Sequence, residues 1–213
     1  MLNDVSSHAL WWSTRATGLV SLALLTVVFV LGITGVKRWA PRGWPLFAVG
    51  AIHRNASLLA VVLVAIHVST TVIDGYVDVS WWSAVIPFTA TYRPLWLGLG
   101  ATAVDLVLAV IATSLLRSHL RHRTWQTVHW AAYACWPIAF VHGLGAGTDT
   151  TTVWVLSFDA VCLVAVVAAV GWRLSSSTSV SRRHARRVRS MAGAGLAAAP
   201  DRPALDARTR RSP

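Results

Sequence analysis

Two apolar stretches of the chain each carry a pair of histidines. The first, HRNASLLAVVLVAIH, runs from His53 to His67; the second, HWAAYACWPIAFVH, runs from His129 to His142. Thirteen residues separate the first pair and twelve the second. At about 1.5 Å per helical residue these pairs span roughly 21 Å and 19.5 Å, within a hydrocarbon core about 30 Å thick. Each stretch therefore sets one imidazole towards either face of a membrane, at matching depths. Ionisable residues inside a membrane span are costly and point to function. Neutral imidazole, the metal-ligating form, escapes that cost.

The elements that must position these residues are legible in composition. The chain has 213 residues, 55% of them hydrophobic and only 13% charged, with a mean hydropathy of +0.56. This composition excludes an ordinary soluble domain and predicts an all-α polytopic transmembrane bundle. Apolar runs mark five spans, near residues 16–36, 47–73, 95–116, 124–144 and 151–172. His53 and His67 fall in the second, His129 and His142 in the fourth. Asp4 is the first charge, no basic n-region precedes the first run, and that run is long enough to span, so it does not read as a cleaved leader. Residues 1–174 form the membrane domain, and residues 175–213 read as a basic, disordered cytoplasmic tail lying against anionic lipid.

Charge orients the spans. The net charge is +11, but ten of the nineteen basic residues follow Trp172. That placement indicates a membrane surface rather than nucleic acid. With five spans, Lys37, Arg38, Arg42, Arg54, Arg117, Arg121, Arg123 and the tail share one side, which holds seventeen of the nineteen. Arg15 and Arg93 lie on the other, with Asp4, Asp74, Asp78 and Asp149. The N-terminus is then outside and the C-terminus cytoplasmic. One Lys against eighteen Arg, with much Ala and Val, hints at a GC-rich bacterial genome and hence at a multi-pass protein of a bacterial inner (plasma) membrane.

Orientation fixes the pairing. The second and fourth spans run the same way, so His53 faces His129 on the inner side and His67 faces His142 on the outer side. Zinc wants four ligands, and neither level offers a Cys or acid at helical ligand spacing. Haem iron wants two axial ligands on opposite faces, which imidazoles on facing helices supply. Two haems at two depths would make an electron path across the bilayer. Helical phase is a check on this. Fourteen residues bring His67 back to within roughly 40° of His53, but thirteen leave His142 roughly 140° from His129 in a straight helix. Pro137 lies between them, and an irregularity near Trp136–Pro137 is the expected remedy.

The H-x13-H and H-x12-H pairs, within IHRNASLLAVVLVAIH and TWQTVHWAAYACWPIAFVHGLG, together with YRPLWLGLGATAVDLVLAVIATSLLR, resemble the ferric reductase-like transmembrane domain. Ferric reductases, NADPH oxidases and the haem subunit of a bacterial methionine sulfoxide reductase system share this domain. The resemblance covers roughly residues 10–172, although quinol-oxidising b cytochromes use a similar histidine pattern. It implies two b-type haems on His53, His67, His129 and His142. Relatives carry a cytosolic flavin and nicotinamide domain; here a basic stretch of about forty residues leaves no room for a Rossmann unit. Flavin is therefore expected on a separate NAD(P)H reductase, or else a quinol is the donor. Many relatives have six spans rather than five.

The remaining polar residues divide between binding and structure. Arg54 follows a proposed ligand and is suited to inner haem propionates or to snorkelling at the interface. Arg15 and Arg93 stand where outer propionates would lie. Asp105 and Asp159 fall mid-span, where interhelical hydrogen bonding outweighs proton movement. Cys135 and Cys162 lack metal or redox spacing and read as buried thiols. Trp81 and Trp82 in the long outer loop read as an interfacial anchor or as a lid over an outer site. The leading reading is an oxidoreductase component: a transmembrane dihaem cytochrome passing electrons to ferric iron, oxygen or an outer partner protein. The alternatives are a His/Asp proton-relay transporter and a haem-bearing anchor subunit.

Overall fold

The computed structural model describes residues 2–36, 45–74, 79–147 and 149–197. Lys37, Arg38, Arg42 and Asp78, which enter the orientation of the spans, lie outside them, as do residues 198–213. The described residues form six helices and no strand: α1 Leu2–Val36, α2 Leu46–Ile73, α3 Trp81–Val85, α4 Pro94–Leu115, α5 His122–Ala146 and α6 Val153–Ala197. By contact the chain divides into two units, Met1–Val170 and Gly171–Pro213. In the second, helix is described as far as Ala197.

Local chemistry sets the helix ends. Pro45 in extended conformation precedes α2. Pro94 opens α4, where its missing N–H costs nothing and its fixed φ suits the first turn. Arg93 before it is left-handed, with φ 41°. The Ser80 hydroxyl caps α3 by accepting the Ser83 N–H at 3.2 Å.

Four helices are long and apolar enough to cross a membrane: Ala9–Gly35, Phe47–Ile73, Pro94–Leu115 and Val153–Ser175. The predicted fourth span, α5, is 25 residues long but less apolar, because it carries His122, Arg123, Gln126, His129 and His142. At Trp136–Pro137, where the sequence predicts an irregularity, α5 stays helical without a break.

α1 pairs with α2 and α4 with α5, and α1 also meets α5. Leu22, Trp136, Cys162 and Val166 are buried together, with Leu25, Phe29, Phe140 and Phe158 around them. Trp136 is only 5% exposed. Its indole N–H donates to Thr26 Oγ1 at 2.8 Å, and that hydroxyl donates to the Leu22 carbonyl at 2.8 Å. The one polar atom of the core tryptophan is thus satisfied without water. Outward faces carry exposed apolar side chains such as Leu58, Leu59, Val62, Val161, Val164 and Val167. Such faces suit lipid, where burial from water does not depend on protein contacts.

Candidate functional site

His67 and His142 come together. Their ring centroids lie 6.4 Å apart with planes at 81°. His67, on α2, directs Nδ1 to the Thr14 carbonyl of α1 at 2.9 Å. His142, on α5, directs Nδ1 to the Trp96 carbonyl of α4 at 2.7 Å. A carbonyl accepts only from N–H, so both rings carry their proton on Nδ1, and both Nε2 atoms keep a free lone pair.

Each of these bonds needs a glycine. A helical side chain leans towards the N-terminus and covers the turn before its own Cα. The residue at i+4 therefore shields the carbonyl at i from the side. Four residues after Thr14 stands Gly18, and four after Trp96 stands Gly100. A Cβ on Gly18 would lie 3.0 Å from His67 Cε1, and one on Gly100 would lie 2.6 Å from His142 Cε1. The missing side chains are what let imidazole reach a main-chain oxygen already committed to its own helix.

The inner level repeats the device incompletely. The His53 ring approaches the carbonyl of Val28, four residues before Gly32, whose added Cβ would sit 3.6 Å from His53 Cε1. This cradle is looser, and His53 Nδ1 is buried without a hydrogen-bond partner. His129 lies within electrostatic range of His53, and its Nδ1 is also buried and unpartnered. α4 offers no glycine between Ala101 and Leu115. His129 instead stacks on Trp125 of its own helix, centroids 5.0 Å apart and planes at 17°. The Arg117 guanidinium lies over the Trp125 ring, 4.5 Å from its centroid. The step of thirteen positions from His129 to His142, about 140° off one face in a regular helix, accords with the difference.

A cavity of about 290 Å³ opens beside the outer pair, between α1, α2, α4 and α5. His67, His142, Gly18 and Gly100 line it, as do Val79, Ser83, Ala84 and Tyr92 from the outer loop. The loop thus borders the His67–His142 site, and the aromatic pair Trp81 and Trp82 is exposed. Phe88, at φ 67°, drops its ring onto Gly98 of α4, where a Cβ would overlap it.

Other predicted residues separate. Arg15 lines the cavity and forms an ion pair with Asp149, with Asp159 in electrostatic range. Asp159 is 8% exposed and also lines the cavity. Arg93 turns to the end of α5, donating from Nη1 to the Gly145 carbonyl at 2.8 Å. Arg54 is exposed on α2, and Asp105 is half-buried. Cys135 and Cys162 are buried free thiols. Among the described residues, no group of three or more His, Cys, Asp or Glu is placed to hold a metal ion. The glycines, Trp125 and Arg117 were missed from sequence. One signal for them was present: Gly18 and Gly32 are fourteen residues apart, the spacing of His53 and His67.

Taken together, these features describe a multi-pass helical membrane protein in which His67 and His142 come together. The family model described as "Ferric reductase like transmembrane component" matches residues 17–144, and the chain belongs to that family. The match takes in all four histidines. No curated protein and no solved structure matches the chain.

Proposed function

We propose that this chain is a transmembrane dihaem b-type cytochrome. It has five spans with the N-terminus outside, His53 and His129 hold the inner haem, and His67 and His142 hold the outer. The facing of His67 and His142 carries the proposal. Their ring centroids lie 6.4 Å apart, and with Nδ1 given to a carbonyl each ring would keep Nε2 to ligate haem iron. The Nδ1 bonds to Thr14 and Trp96 are the arrangement by which a ligating histidine is oriented and made more basic. Membership of the ferric reductase-like family supports the same chemistry.

Haem, when bound by these histidines, would supply one-electron chemistry. The protein's own part is positional. The glycine cradles fix ring orientation, the apolar helices exclude water, and the buried Trp136 and Phe140 stack between the two levels, centroids 5.1 Å apart. Arg15 at the cavity edge and Arg54 beside His53 are suited to propionates. Electrons would come from a separate flavin/NAD(P)H reductase or a quinol and leave to ferric iron, oxygen or an outer protein. The setting is a bacterial plasma membrane, with the basic segment beyond residue 174 on the cytoplasmic side.

Redox-difference spectroscopy with haem counting on the four His→Ala variants tests this. The expected result is two haems in the wild type, one lost in both His53→Ala and His129→Ala, and the other lost in both His67→Ala and His142→Ala. A wild-type protein without a reducible haem spectrum sinks the proposal.

A further inference from the structure

The two levels are held differently, and the difference has a redox consequence. At the outer level both imidazoles give Nδ1 to main-chain carbonyls. Such bonds make the ligating nitrogen more basic, which favours ferric over ferrous iron. At the inner level His53 has only a loose approach to the Val28 carbonyl, and His129 Nδ1 has no such partner. Charge differs too. Arg15 reaches His67 electrostatically but is paired with Asp149, with Asp159 near it. At the inner level Arg117 lies over Trp125, which stacks on His129, and Arg54, Arg121 and Arg123 are exposed nearby in sequence. A positive charge close to a redox centre favours its reduced form.

We infer that the His53–His129 level holds the higher-potential haem, and that Arg117, acting through the Trp125 stack on His129, is a positioning residue that keeps its potential high. The inference rests on the dihaem reading. Its physical content is an electron that settles on the inner level at equilibrium. A membrane potential negative inside would then draw it outwards. The unpartnered Nδ1 of His129, costly when buried, gains a role as the means of keeping that inner ligand weakly basic.

Potentiometric titration of the full-length, haem-loaded protein, followed by visible absorption, tests this. His67→Ala leaves the inner wave alone and His53→Ala leaves the outer, so each wave is assigned. The inner wave is expected at the higher potential. Arg117→Gln should lower the inner reduced-to-oxidised ratio at fixed potential by about two- to fivefold, the scale of an exposed cation–π contact, with the outer wave unmoved. Arg117→Lys should restore most of it, because the charge is kept. Arg117 is exposed, so its replacement leaves the bundle intact. An outer wave above the inner one overturns the inference, as does an Arg117→Gln variant that moves both waves together or neither. Two haems with reversed waves leave the dihaem reading standing; a protein without haem removes both.

Discussion

At the scale of single residues, the absence of a side chain matters as much as its presence. Gly18, Gly32 and Gly100 lie in apolar helices, where glycine costs roughly 1 kcal/mol against alanine. Geometry says what each offsets. At Gly100 a Cβ would come within 2.6 Å of the His142 ring, so Gly100→Ala must push the imidazole off the Trp96 carbonyl. The expected outcome is loss of the outer haem, or a raised outer potential where haem is retained, with the inner spectrum unchanged. Gly18→Ala, at 3.0 Å from His67, should act likewise but less severely. Gly50→Ala meets nothing within 4 Å and should leave both spectra intact, so the series separates ring displacement from a general helix effect. Equal behaviour of all three variants would refute the cradle.

Elements show how far sequence could be read and where it stopped. Apolar runs gave the helices, and His53–His67 gave the matched depths, because length and composition act locally. Pro137 leaves α5 helical, since a proline removes one donor without compelling the helix to end. The glycine cradles were hidden because a carbonyl contributes no residue letter, and only the fourteen-residue repeat of Gly18 and Gly32 betrays them. The loop was legible as aromatic, with the anchor and lid readings both open, because the choice depends on Phe88 finding Gly98 across a turn. The contact can be tested. Gly98→Ala should evict the Phe88 ring and loosen residues 79–93. A Ser83→Cys reporter, at a position now 8% exposed, should react with a polar thiol reagent about tenfold faster in the Gly98→Ala background, as expected for a loss of local protection of about 1.4 kcal/mol. Unchanged labelling would show that the loop is held elsewhere.

For the whole molecule the decisive question is whether α5 crosses the membrane. Its hydropathy falls short of its neighbours', yet 25 residues reach roughly 37 Å as helix, beyond a core of about 30 Å. The polar residues that lower its hydropathy sit mainly at its start, where His122, Arg123 and Gln126 precede the apolar run. His142 and Cys135 within the run are half-buried or buried by protein, so lipid does not meet them directly. A helix that hides its polar groups inside a bundle inserts despite a modest average. Charge distribution agrees, because only an odd number of crossings gathers seventeen of nineteen basic residues on one side. Fusions decide the matter. A fluorescent protein joined after Pro213 should fold and fluoresce in the cytoplasm, while alkaline phosphatase joined there stays inactive. The same phosphatase joined after Asp149, between α5 and α6, should be active. An active phosphatase at the C-terminus would mean an even number of crossings. That result would break the alignment of His53 with His129 and His67 with His142, and the two-level electron path would go with it.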